Sequence, residues 1–285
     1  MQDSINNLAY YQKLKSRPFI AIPTVLLLLT SLTAIASSWY LVLNESMPLW
    51  LGFIINFVAY YFLFSPIHDG AHRSISTNDK LNDFITACAY FPMFLINPAG
   101  PFARMYHMQH HRHTGKKELD PDIEISSNIR NALGPWFFWG SQYQPYYLKF
   151  KDDLPKVTVQ FGKTRFIIST LVGLTIFFNY PIESIFLWLI PFLAGLVWMV
   201  AFVFSYLPHH IHQRNPEEDP LDPYQSTCNI VGWEWLLSPL MQYQNYHLVH
   251  HLYPTVPFYR YVKLWRAGHQ KHMDNNPALM QAFEY

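Results

Sequence analysis

Charge is scarce in this sequence. Asp, Glu, Lys and Arg make up 14% of its 285 residues, against roughly a quarter in soluble domains. The formal net charge is +1, which excludes a nucleic-acid binder that works by bulk electrostatics. Cysteine is nearly absent: Cys88 and Cys228 cannot build a disulfide framework and point to no oxidising compartment. Low-complexity tracts and internal repeats are missing, as is any linker that would divide the chain, so residues 1–285 are read as a single domain.

What is abundant is apolar surface. Hydrophobic residues reach 51% and aromatics 18%, which excludes disorder and is more than a soluble chain of this length can hide. The apolar residues fall in runs at about 19–43, 48–66, 164–179 and 182–207. The first is longer than a secretory signal core, which favours a membrane span. Pro191 inside the last is tolerated in membrane helices. The pattern predicts an all-α integral membrane protein, with four transmembrane helices in two hairpins. Cytosolic segments 67–163 and 208–285 form a helical inner body. The outer turns, 44–47 and about 180–183, hold Glu45 and Glu183 but none of the 20 Lys and Arg residues. The positive-inside rule then puts both termini and the body in the cytosol, with the bacterial inner membrane as the expected location.

Three inner segments, Phe84–Leu95, Pro135–Tyr147 and Val231–Leu240, are too short or too broken to span. The aromatic-rich second suits a helix at headgroup level, and core packing of the inner body explains it equally well.

The other excess is histidine, and twelve of the 14 fall in four groups. These are His68 and His72; His107, His110, His111 and His113; His209, His210 and His212; and His247, His250 and His251. On a helix, positions i, i+3 and i+4 share one face. The pair 68/72 is therefore a two-pronged clamp, and 107/110/111 and 247/250/251 are three-pronged clamps of identical spacing. His113 points elsewhere on a regular helix, and His269 and His272 stand apart. Neutral imidazole binds Zn, Cu, Fe and Ni. Eight same-face imidazoles exceed what one ion takes and suit two open sites, which favours redox chemistry with oxygen over a sealed structural zinc.

The stretches His68-Asp69-Gly70-Ala71-His72, His107-Met108-Gln109-His110-His111 and Asn245-Tyr246-His247-Leu248-Val249-His250-His251-Leu252-Tyr253-Pro254 resemble, in order and spacing, the three histidine boxes of the membrane fatty acid desaturase superfamily. That group includes acyl-lipid desaturases and hydroxylases and the related carotenoid hydroxylases and ketolases. The resemblance runs from about residue 19 to 262. It implies a non-haem di-iron, O2-dependent enzyme that oxidises an unactivated C–H bond in a lipid. The implied ligands are His68, His72, His107, His110, His111, His247, His250 and His251. Family members commonly add one just after the fourth span, where His209 stands, with His210 and His212 competing for the role. A ligating imidazole usually donates its other N–H to a carboxylate or carbonyl, and Asp69, Asp120 and Asp122 are candidates for that support.

Neither end of the sequence shows a fused cytochrome b5 domain or its His-Pro-Gly-Gly signature, so a separate electron donor is expected: a ferredoxin, rubredoxin or cytochrome. Three residues separate the histidines of the first box, as in acyl-lipid and carotenoid enzymes; acyl-CoA desaturases typically have four. Desaturation of a lipid-linked acyl chain is therefore the leading expectation. Carotenoid hydroxylation or ketolation and fatty acyl hydroxylation are the alternatives within the family. A membrane metal-binding or transport protein is the alternative from another class. It would place ionisable ligands near the bilayer midplane, whereas these histidines lie at or beyond inner helix ends.

Overall fold

A computed structural model describes residues 2–96, 100–117, 119–134, 156–210 and 222–283. The expected headgroup-level segment Pro135–Tyr147 lies outside these residues, as does His212. The fold is mostly helical, and among the described residues three helices are long and apolar enough to cross a membrane: Ile22–Leu43, Leu49–Ala71 and Pro181–His209. The remaining expected span, 164–179, belongs to a helix running Lys156–Asn179, whose apolar part is the shorter Ile167–Asn179.

The span-length helices are built inside out relative to a soluble bundle. Helix α2 (Ile22–Leu43) buries Thr24, Leu28, Ser31, Ile35 and Ser38. These residues recur every three or four positions and make one stripe. Its large apolar residues Leu26 and Leu29 face outward, as lipid requires. The buried stripe is partly small and polar because helices in lipid associate through close packing and hydrogen bonds. Ser38 Oγ accordingly donates to Asn56 Oδ1 of α3 (Leu49–Phe62) at 3.0 Å. A Cβ on Gly195 of the Pro181–His209 helix would sit 2.6 Å from the Phe57 carbonyl oxygen. Glycine there lets the two backbones cross in contact.

Helix α3 does not stop near Pro66 as its apolar run suggests. Leu63 keeps helical dihedrals, and α4 (Phe64–Ala71) continues the rod, so His68 and His72 ride on the C-terminal end of a span-length helix. Gly70 is required there, because a Cβ would lie 1.8 Å from Thr86 Oγ1 of α5 (Asp79–Tyr90). The turn that follows is pinned by Asn82, whose Oδ1 accepts the N–H groups of Ile75 and Ser76 at 3.0 and 3.2 Å. Asn78 caps α5 by accepting from the N–H groups of Lys80 and Leu81.

The inner body folds over this end. Helix α6 (Gly100–His113) carries the second histidine cluster, and a short helix, His247–Leu252, carries the last. The N-terminal helix α1 (Gln2–Lys15) packs on the C-terminal helix Tyr261–Ala267, burying Tyr11, Leu14, Tyr261, Leu264 and Trp265 together. The all-α expectation needs one amendment. Asn229–Val231 (β1) pairs in parallel with Leu279–Gln281 (β2), aligning Ile230 with Met280. Three-residue strands give no period-2 signal long enough to read from sequence.

Candidate metal centre

The histidines that are far apart in sequence meet at one end of the span-length helices. His68, His72, His107, His111 and His250 form one group, and His110, His209, His247 and His251 form a second. Within each group the potential ligand atoms lie within 4.8 Å of one another. The groups adjoin: the rings of His111 and His251 are 4.2 Å apart, centroid to centroid. All eight histidines expected from the boxes are gathered, and His209 joins them. His210 does not; its Nδ1 donates to the Leu207 carbonyl at 2.6 Å and its ring stacks on Tyr206. His113, exposed His269 and buried His272 also lie outside both groups.

Three imidazoles have their tautomer fixed by what holds Nδ1. His209 Nδ1 lies 2.6 Å from the Ser205 carbonyl, which can only accept. His110 Nδ1 lies 2.8 Å from Asp120 Oδ1. His251 Nδ1 lies 3.4 Å from Thr114 Oγ1, whose own proton goes to the His110 carbonyl. In neutral form each therefore carries its proton on Nδ1 and a bare lone pair on Nε2. Yet His209 Nε2 and His251 Nε2 face one another at 3.3 Å. Lone pairs brought this close repel one another unless a cation lies among them. Nitrogen–metal bonds of about 2.1 Å put neighbouring ligand atoms roughly 3.0–3.4 Å apart, so the spacing fits a shared ion.

The first group makes the same point through its orphans. Both ring nitrogens of His68 and Nε2 of His72 are buried with no hydrogen-bond partner among the described residues. Unpartnered buried nitrogen is costly, and metal coordination satisfies it. His250 Nε2 is 2.8 Å from His111 Nε2, and its Nδ1 is 3.0 Å from the hydroxyl of buried Tyr261. Burial, reinforced by neighbouring imidazoles, holds His107, His111, His247, His250 and His251 well below the usual value of 6.5. They stay neutral at pH 7, as metal binding demands. His110 is the exception. Burial lowers it too, but the Asp120 carboxylate outweighs that effect and pushes it up to about 9.

The three carboxylates expected to support the histidines separate. Asp120 ties His110, and its oxygens also accept the N–H groups of Asp122 and Gly115. Asp122 is 3.7 Å from the same His110 nitrogen. Asp69 supports no histidine. Its buried carboxylate accepts from Thr24 Oγ1 at 2.7 Å and from the Phe258 N–H at 3.2 Å, stitching α2 and the C-terminal segment to the first box. Thr114, Tyr261 and Gln244, whose Oε1 lies 2.8 Å from His247 Nδ1, are supports the sequence reading missed. Thr114, four residues after His110 on a helical count, was findable by spacing; Tyr261 carries no local signal.

The fatty acid desaturase family profile matches residues 44–283. The chain belongs to that family. Among curated relatives, the chloroplastic omega-6 fatty acid desaturase of Spinacia oleracea is 27% identical over 73% of this chain and 49% of its own length. The sn-1 oleoyl-lipid 12-desaturase of Arthrospira platensis is 26% identical over 67% of this chain and 60% of its own. The chloroplastic sn-2 acyl-lipid omega-3 desaturase (ferredoxin) of Arabidopsis thaliana is 25% identical over 73% and 52%. The chain thus spans about half the length of the first of these desaturases. The matched region takes in two of the span-length helices and both histidine groups able to hold metal.

Proposed function

We propose that this desaturase-family protein inserts a double bond into a fatty acyl chain carried on a membrane lipid, using O2 and a di-iron centre held by its nine clustered histidines. The observation that carries this reading is the pair of adjoining histidine groups, with orphaned nitrogens in one and the opposed lone pairs of His209 and His251 in the other. Iron so held would supply oxygen activation and abstraction of hydrogen from the acyl chain. Imidazole donors without a cysteine shell would suit an open redox site rather than a sealed structural zinc. The overall balance is one acyl –CH2–CH2– unit, O2, two electrons and two protons giving –CH=CH– and two waters. The electrons come from a separate one-electron carrier, and the ferredoxin in the name of the Arabidopsis relative supports that class.

In this reading the chain's own residues orient and enclose. Asp120, Ser205, Thr114 and Tyr261 fix imidazole orientation. Phe64 stacks on His68 at 5.0 Å and on Phe204 at 4.2 Å, putting an aromatic wall between the spanning helices and the first box. An acyl chain arriving laterally from the bilayer meets that wall rather than water. Four spans and a cytosolic centre are part of the proposal, with the Lys156–Asn179 helix as the third. Turns free of Lys and Arg at 44–47 and 180–183 support this topology.

The test is mass spectrometry of total lipids from a host that makes acyl lipids and β-carotene and expresses this protein with a ferredoxin system, beside a His107→Ala control. Acyl chains short of two hydrogens, absent in the control, are expected. Oxygen added to acyl chains or to carotenoid would instead place the protein with the hydroxylases or ketolases of its superfamily.

A further inference from the structure

The helix Glu234–Leu240 carries an apolar face that the described chain leaves uncovered. Trp233, Trp235 and Leu240 are 54, 74 and 55% exposed, and Phe283 beyond β2 is 64% exposed. The rings form one patch, with Trp233 6.2 Å from Trp235 and 5.9 Å from Phe283. Such a patch marks an interaction surface, and hydrogen bonds to a spanning helix fix where it lies. Tyr61 donates its hydroxyl to the Leu240 carbonyl at 2.6 Å. Gln242 Nε2 donates to the Tyr61 carbonyl at 2.9 Å, and Gln242 Oε1 accepts the Ser65 N–H at 3.3 Å.

Tyr61 belongs to the span-length helix Leu49–Ala71, six residues before Ile67, the last apolar residue ahead of His68. At about 1.5 Å per residue it sits about 10 Å to the hydrocarbon side of His68, where the first histidine box begins. The end of the Glu234–Leu240 helix is held at that depth. Its single acid turns inward: Glu234 Oε1 accepts from the Gly232 N–H and the Tyr246 hydroxyl, each at 3.1 Å. Glu234 is the one charged residue of the segment, partnered by those donors and by nearby Arg266, and Trp is a residue that favours the boundary between acyl chains and headgroups.

We infer that Trp233–Leu240, with Phe283 beside it, is a wedge seated in lipid, in the leaflet on the histidine side. The wedge does more than anchor. Leu240 is seven residues from His247, and the intervening strand contact, Ile230 N–H to the Asn245 carbonyl at 2.6 Å, ties the two rigidly. Lipid contact at the wedge therefore sets the depth at which the last histidine cluster sits under the bilayer. The inference rests on the membrane placement of Leu49–Ala71 and is independent of the metal or the reaction.

The test compares the Trp233→Phe/Trp235→Phe double variant with the native protein in phosphatidylcholine vesicles, with and without bromine at carbons 6 and 7 of one acyl chain. The fluorescence lost in the variant is the signal of the wedge. More than half of that component is expected to be quenched in brominated vesicles and little of it by acrylamide in the water. Quenching by acrylamide instead would overturn the inference. Quenching by neither would overturn it too, and would assign the patch to contact with a second copy of the chain. Should the double variant fail to fold, Trp235→Phe alone reads the same component at about half amplitude, since Trp235 is the more exposed ring.

Discussion

Asp120 and Asp69 stand beside histidines in the sequence, yet they perform different work, and substitution separates them. Asp120 accepts from His110 within the centre. Asp120→Asn keeps the shape but weakens the charge that orients the ring, and supports of this kind are worth roughly 10–100-fold in metal affinity. Chelator competition on the purified variant should show iron held that much more weakly. Asp69 instead takes Thr24 and Phe258 as partners of its carboxylate, with the Ser74 side chain beside them. Asp69→Asn should lower the unfolding temperature in detergent, by the equivalent of about 1–3 kcal/mol for a disturbed buried acceptor, while iron affinity stays near native. If the two variants lose iron equally, this division of roles is wrong.

The same imidazoles predict a pH dependence. His107, His111, His247, His250 and His251 resist protonation in the fold because they are buried. In the unfolded chain they take up protons near 6.5. Below that pH the unfolded state binds more protons, so stability falls as pH falls. His110 runs the other way: raised to about 9, its contribution is present below 6.5 and is lost as pH rises through 9. Five groups outweigh one, and the unfolding temperature of metal-free protein should drop steadily from pH 7 to pH 5. A flat profile over that range would contradict the neutral assignment.

At the scale of elements, glycines decide how closely helices approach. Gly195 meets backbone rather than a yielding side chain, since the Phe57 carbonyl lies 2.6 Å from where a Cβ would stand. Gly195→Ala should force α3 and the Pro181–His209 helix apart at a cost of about 1–3 kcal/mol, read as a lower unfolding temperature and poorer yield of folded protein. The histidine-bearing helices were legible in sequence because i, i+3, i+4 spacing is a local property, visible without knowing the fold. The spanning helices were legible because lipid demands long apolar runs. Their ends were less so: the second runs on to Ala71, since His68 and Asp69 are polar yet lie inside a helix. The Lys156–Asn179 helix is apolar over too short a stretch for composition alone to call it a span.

At the scale of the molecule, the two ends of the chain close over the centre. Arg260 donates to the carbonyls of Leu14 and Ser16 at 3.2 and 2.8 Å, and the hydroxyls of Tyr11 and Tyr253 meet at 2.7 Å. None of this was readable beforehand, because contacts across some 240 positions leave no spacing in the sequence. Tyr261 is the instructive case. It reaches His250 only because its helix is clamped against α1 by Leu14, Leu264 and Trp265. The identity of the centre was written locally, whereas its rigidity comes from the whole fold.

The central claim is that two adjoining histidine groups hold two iron ions. Its most direct test is the iron content of the purified protein after anaerobic reconstitution with ferrous iron, set beside a His209→Ala variant. The account predicts two irons per chain in the native protein. In the variant it predicts one tightly held iron and one readily lost to a chelator, because His209 belongs to the second group alone. One iron or none in the native protein, or equal loss from both groups in the variant, would contradict it.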